Sequence, residues 1–98
     1  MNFEQLLYAE VLSHHHSLQK AADVLHISKS GLSLAISQLE DELGVQLFER
    51  SSKGTQLTME GKQLLASISD ILRYKNLLEK TVKQVTLEKS YQKLPSIT

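Results

Sequence analysis

One stretch of the chain, Ser17 to Leu39 (SLQKAADVLHISKSGLSLAISQL), constrains the fold more tightly than any other. Ser17 is a good helix N-cap, and Leu18, Ala21, Ala22 and Leu25 repeat behind it at helical spacing. His26-Ile27 interrupts that pattern, and Ser28 offers a second cap. Leu32, Ala35, Ile36, Leu39 and Leu43 then form one apolar stripe, while Lys29, Ser30, Ser33, Ser37 and Asp41 form the opposite face. The second helix is therefore apolar on one side and short-chained polar on the other. Its neighbour is small at Ala21-Ala22, which lets the two pack closely. This is the pattern of a helix-turn-helix, about residues 18–37, whose second helix enters the major groove of DNA.

Composition narrows what can surround this pair. A chain of 98 residues suits one small domain, and its 41% hydrophobic content, with no Trp and two Phe, gives a modest aliphatic core. There is no Cys, which closes disulfide and thiolate-metal readings. No apolar run reaches membrane-spanning length and no signal-peptide pattern opens the sequence, so a cytoplasmic protein is expected. The formal net charge is zero, which argues against nucleic-acid binding as a bulk property. The charge is nonetheless unevenly distributed. From Arg50 to Lys62 the basic residues Arg50, Lys53 and Lys62 face Glu60 alone, whereas Glu40-Asp41-Glu42 lies at the far end of the second helix of the pair.

Around the pair, the spacing of Phe3, Leu6, Leu7 and Val11 predicts a first helix over 3–13, ended by His14-His15-His16. Three adjacent histidines cannot share one helical face, so they read as a polar loop and not as a metal site. Gly44 supplies a left-handed cap after Leu43. Val45, Leu47 and Phe48, the turn signal Ser51-Ser52-Lys53-Gly54 and a return strand at Gln56-Leu57-Thr58 make a small hairpin, or wing. Arg50 and Lys53 stand near its tip, where they can contact phosphate or the minor groove. Thr58 caps a long last helix, with Glu60 in its first turn. There Leu64, Ile68, Ile71, Lys75, Leu78, Val82, Val85 and Lys89 alternate four and three apart, a heptad seam with polar breaks. Some 30 helical residues span about 45 Å, more than so small a domain can cover. The seam is expected to pair with the same helix of a second chain through Leu64, Ile68, Ile71, Leu78, Val82 and Val85. The alternative is that only its first half packs, on the chain's own core. Pro95 and the polar run near Ser90 place the helix end before about residue 93, with a loose tail.

Together SLQKAADVLHIS, the serine of GLS, and ISQLEDELGVQLFERSSKGTQLTMEGKQLL resemble the N-terminal DNA-binding region of LysR-type transcriptional regulators. The resemblance runs without a gap from Met1 to about Leu65, and the long helix follows where that family has its linker helix. It implies a mainly α, winged helix-turn-helix fold: a three-helix core plus β-hairpin wing over 1–58, a linker helix over 59–89 and a tail over 90–98. It further implies a homodimer through the linker helix, often assembled into tetramers, on interrupted inverted repeats of double-stranded DNA. In full-length members an effector-sensing domain follows. That domain is absent from these residues, so the chain is expected to be a piece of a longer regulator, with a natural short regulator as the alternative.

The reading helix departs from the family pattern. Members commonly carry glutamine at Lys29, proline or a small residue at Ser30, arginine or glutamine at Leu34 and Ala35, and a basic residue near Ser37. Bidentate arginine–guanine contacts from mid-helix are thus lost. Weaker readout, tolerant of A·T pairs, is expected, with Ser30, Ser33, Leu34 and Ser37 touching bases and Ser17, Lys29, Arg50 and Lys53 on phosphates. Gly31 replaces a usual alanine, at up to about 1 kcal/mol of helix propensity. A competing reading, favoured by the zero net charge, keeps the fold for dimerisation or partner docking alone. An enzyme is not supported: there is no nucleophile with a paired base, no pair of catalytic carboxylates and no glycine-rich phosphate loop. No cofactor or metal is expected.

Overall fold

The computed structural model describes residues 1–92 in backbone, and their side chains through Ser90. The order of elements is α1 (Phe3–His15), α2 (Leu18–Leu25), α3 (Lys29–Leu43), β1 (Phe48–Ser51), β2 (Gly54–Leu57) and α4 (Met59–Gln92). It is mainly helical, with one antiparallel hairpin that pairs Phe48 with Leu57 and closes at Ser51 and Gly54.

Each boundary has a local cause. Asn2, Ser17 and Ser28 cap α1, α2 and α3, their side chains accepting from the backbone N–H of Gln5, Lys20 and Gly31. His16, His26 and Gly44 end the same helices in the left-handed conformation. Helix α1 runs two residues past the expected end, taking in His14 and His15, because the left-handed stop falls on His16. The turn between α2 and α3 is tight: Ile27 N–H donates to Ala22 O at 3.0 Å, and three residues separate the helices.

One core joins every helix. Leu6, Ala9 and Leu12 of α1 meet Leu18, Ala21 and Ala22 of α2, Leu32, Ile36 and Leu39 of α3, then Leu47, Phe48, and Leu65, Ile68 and Leu72 of α4. Ala21 and Ala22 are fully buried, so α2 approaches its neighbours at backbone distance. One buried face is settled here and one expectation corrected. Helix α1 turns Leu6, Ala9 and Leu12 inward, and leaves Phe3 and Leu7 about half exposed beside α4. Ile68, expected on a dimer seam, is 5% exposed within the chain's own core, and Leu64 is half-buried against it. The seam residues of the first turns are spent on the single chain, because α4 must seal the open side of the three-helix core.

Glu40 fastens the reading helix to the wing. Its carboxylate accepts from Leu47 N–H at 2.7 Å and Phe48 N–H at 3.1 Å, satisfying two donors of the chain entering β1. Strand β1 begins at Phe48, later than the apolar run from Val45 suggests, for this reason. Thr58 makes the next joint: its hydroxyl donates to Gln46 O at 2.6 Å and accepts from Gly61 N–H at 2.8 Å. A Cβ on Gly61 would lie 2.1 Å from Leu47 O, so no side chain fits there. Beyond Leu72, α4 leaves the core and projects. The molecule measures 71 × 26 × 20 Å, and α4 extends three residues past the expected end at 89. Of the expected tail, 90–92 are helical and the rest lies outside the described residues.

Candidate nucleic-acid interface

Helix α3 presents its polar face to solvent, as the spacing requires. Lys29, Ser30, Leu34, Ser37 and Gln38 are exposed, Leu34 at 60%, and Ser33 is half-buried on the flank nearest the wing. An exposed leucine in the middle of a polar face has no packing role in the folded chain.

Three elements converge beside that face. Ser17, Lys29 and Arg50 line one cleft together with His16, Gln19, Ser51, Gly54 and Thr55. Ser33, Ser37 and Arg50 line a second with Glu40, Phe48 and Thr55. Arg50 belongs to both, and its Nη2 donates to Ser33 Oγ at 3.2 Å. The side chain of β1 thereby reaches across to α3. Ser17 holds the N-terminal end of α2 at the rim of the first cleft, where helix N–H groups and the helix dipole favour an anion. Lys53 stands apart at the exposed wing tip, its own N–H donating to Ser51 Oγ at 3.1 Å. Ser28 and Ser30 hydroxyls lie 3.4 Å apart at the start of α3.

The wing is held against this cleft by backbone. Thr55 N–H donates to His16 O at 3.0 Å, so the loop after α1 is stitched to β2. Gly54 has φ +99°, and a Cβ there would come within 2.6 Å of His16 O, so glycine is required twice over. Sequence reasoning missed this stitch and the Glu40 brace. Both use backbone partners, which no spacing pattern reveals. The second was in principle visible as a carboxylate on the inner flank of an amphipathic helix.

A second surface shares no residue with these clefts. Phe3, Ile71, Tyr74, Lys75 and Leu78 line an apolar groove between α1 and α4. The Lys75 ammonium sits 5.3 Å from the Phe3 ring centroid. Val82 and Val85 continue the strip, each more than half exposed. Of the six residues expected at a dimer seam, Ile71, Leu78, Val82 and Val85 are free to serve, Leu64 is half-buried and Ile68 is not available.

A three-helix core with a two-stranded wing, a turn-linked reading helix and a projecting last helix define a winged helix-turn-helix protein. Residues 3–62 match the family model for bacterial regulatory helix-turn-helix proteins of the lysR family. The chain belongs to that family, which is one of transcription regulators and not of enzymes. It is 38% identical over 84 residues to the DNA-binding transcriptional dual regulator OxyR of Escherichia coli K12, an alignment covering 86% of this chain and 28% of that protein. It is 44% identical over 63 residues to the regulator DsdC of the same strain, covering 64% of this chain and 20% of that one. The chain thus spans under a third of the length of these relatives. Among solved structures, the BenM DNA-binding domain in complex with catB site 1 DNA superposes with a TM-score of 0.86 at 31% identity, covering 91% of this chain and 96% of that one. CbnR, a LysR family transcriptional regulator, matches with a TM-score of 0.81 at 31% identity, covering 85% of this chain and 29% of that one. Among the described residues no helix is long and apolar enough to cross a membrane.

Proposed function

We propose that this chain binds double-stranded DNA in the bacterial cytoplasm, as a homodimer on an inverted-repeat operator, and so controls transcription. The observation that carries the reading is the convergence of Ser17, Lys29 and Arg50 on one cleft beside the exposed face of α3. The arrangement suits a phosphate at the cleft and a reading helix in the adjoining major groove. Solved relatives with TM-scores of 0.86 and 0.82 carry DNA in their structures, which supports the same use here.

The roles divide by chemistry. Ser17 with the first turn of α2, Lys29, Arg50 and Lys53 hold phosphates. Ser30, Ser33 and Ser37 meet base edges, and Leu34 takes a thymine methyl. With no arginine on the reading face, specificity is modest and tolerant of A·T pairs. Dimerisation uses Ile71, Leu78, Val82 and Val85 of α4 with the Phe3 and Leu7 surface of α1, and spaces two reading helices on two half-sites. A tetramer belongs to the longer regulator of which the family is composed.

Selection of binders from a random duplex pool tests the reading. Enrichment of an A·T-leaning inverted repeat is expected from the purified chain at low salt. Absence of binding even there would overturn it, and would leave a dimerisation or docking module as the better account.

A further inference from the structure

We propose that Arg50 is a positioning residue for sequence readout, acting through the Ser33 hydroxyl, and not only a phosphate contact. The inference rests on the DNA-binding reading above and deepens it.

A serine hydroxyl has one proton to donate and two lone pairs to accept with. In helices that proton commonly goes back to a carbonyl of the preceding turn, as Thr81 does to Leu77 O at 2.9 Å and Ser13 to Glu10 O at 2.6 Å. Among the described residues, Ser33 makes no such bond. Its oxygen instead accepts from the Arg50 guanidinium. A cationic donor on that oxygen has two effects. It polarises the O–H, which makes the proton a stronger donor, and its positive charge disfavours a second N–H approaching the same oxygen. The hydroxyl that α3 offers to the groove is therefore biased toward giving a proton.

Base edges in the major groove differ in what can receive one. Guanine shows N7 and O6, adenine N7 and thymine O4, whereas cytosine presents only its amino donor. Where the short Ser33 side chain reaches only the near base of a pair, Arg50 consequently makes it select against cytosine at that position of each half-site, because the acceptors of the paired guanine lie on the far side of the groove. Without the arginine the hydroxyl turns freely and accepts as readily as it donates, so the discrimination relaxes. The positioning residue sits on the wing and the reading residue on the helix, which makes the wing part of base selection without touching a base.

The test is selection from the random duplex pool by the 98-residue chain and its S33A, R50M, R50K and S33A/R50M variants, with melting curves to verify folding and salt slopes for each. The expected result has four parts. Wild type depletes cytosine at one half-site position by about threefold to tenfold, the worth of one hydrogen bond. R50M recovers cytosine at that position and at no other. R50K, which keeps a donor, restores the depletion. S33A and S33A/R50M give the same preference there, since removing the mediator makes the arginine irrelevant to it. A uniform loss of affinity in R50M, with base preferences unchanged at every position, would overturn the proposal and leave Arg50 as a phosphate contact alone. Binding by wild type without enrichment would overturn this inference and leave phosphate-driven DNA binding standing, whereas no binding even at low salt would overturn the DNA-binding reading itself, and this inference with it.

Discussion

Several residues carry testable weight beyond their type. Glu40 reads in the sequence as one member of an acidic run, yet it alone turns back to hold Leu47 and Phe48 N–H. Glu40→Ala strands two partly buried donors, so a loss of about 1–3 kcal/mol is expected in urea unfolding. Its exposed neighbour contrasts with it: Asp41→Ala should stay within about 0.5 kcal/mol of the parent. The glycines divide in the same way. Gly31 has only the Ser28 hydroxyl near its missing Cβ, at 2.9 Å, and its backbone is ordinary helix, so the tight backbone approach that would excuse it is absent. Gly31→Ala should therefore raise stability by up to about 1 kcal/mol, provided Ser28 Oγ shifts by a few tenths of an ångström. Gly61→Ala should do the opposite and leave little folded protein by circular dichroism, because Leu47 O is backbone and cannot step aside. At the interface, Arg50→Ala with Lys53→Ala should weaken DNA binding for all sequences and flatten the salt dependence by about one to two counterions. An unchanged slope would remove the wing from the phosphate contacts.

At the scale of elements, the sequence was most legible where a periodicity met a cap. The limits of α3 follow from Ser28, the stripe Leu32-Ile36-Leu39 and Gly44, and the structure places all of them so. The wing was legible from its turn residues. What stayed hidden was the choice between two apolar faces. Phe3, Leu6, Leu7 and Val11 fit a helix, but the pattern does not say that Leu6, Ala9 and Leu12 are the buried set. Likewise the heptad spacing of α4 carries on, past the polar position Lys75, from a stretch that seals the core to a stretch that has nothing to seal. Periodicity describes the helix and is silent on its partner. The two stretches should respond differently to substitution. Leu78→Asp with Val82→Asp is expected to abolish the dimer in sedimentation equilibrium while leaving the thermal unfolding of the winged core intact. Ile68→Ala is expected to destabilise the single chain by about 2–5 kcal/mol, as a buried isoleucine does. If Ile68→Ala instead lowered only the dimer affinity, the assignment of Ile68 to the core would fail.

At the scale of the molecule, two bodies of different character share one helix. The winged core is tied together by joints to backbone at His16, Glu40 and Thr58, whereas α4 beyond Leu72 carries exposed apolar residues from Tyr74 to Leu87. The candidate DNA surface lies with the first body, whereas the pairing strip starts on that body at Phe3, Leu7 and Ile71 and runs out along the second. The projection of α4 has a hydrodynamic consequence. The chain has a radius of gyration of 18.5 Å, against about 13 Å for a compact domain of this length. An 11.0 kDa particle of that shape drags like a heavier sphere. On gel filtration a single copy would elute early enough to be mistaken for a pair, so molecular weight must come from light scattering or sedimentation, where friction and mass are separated.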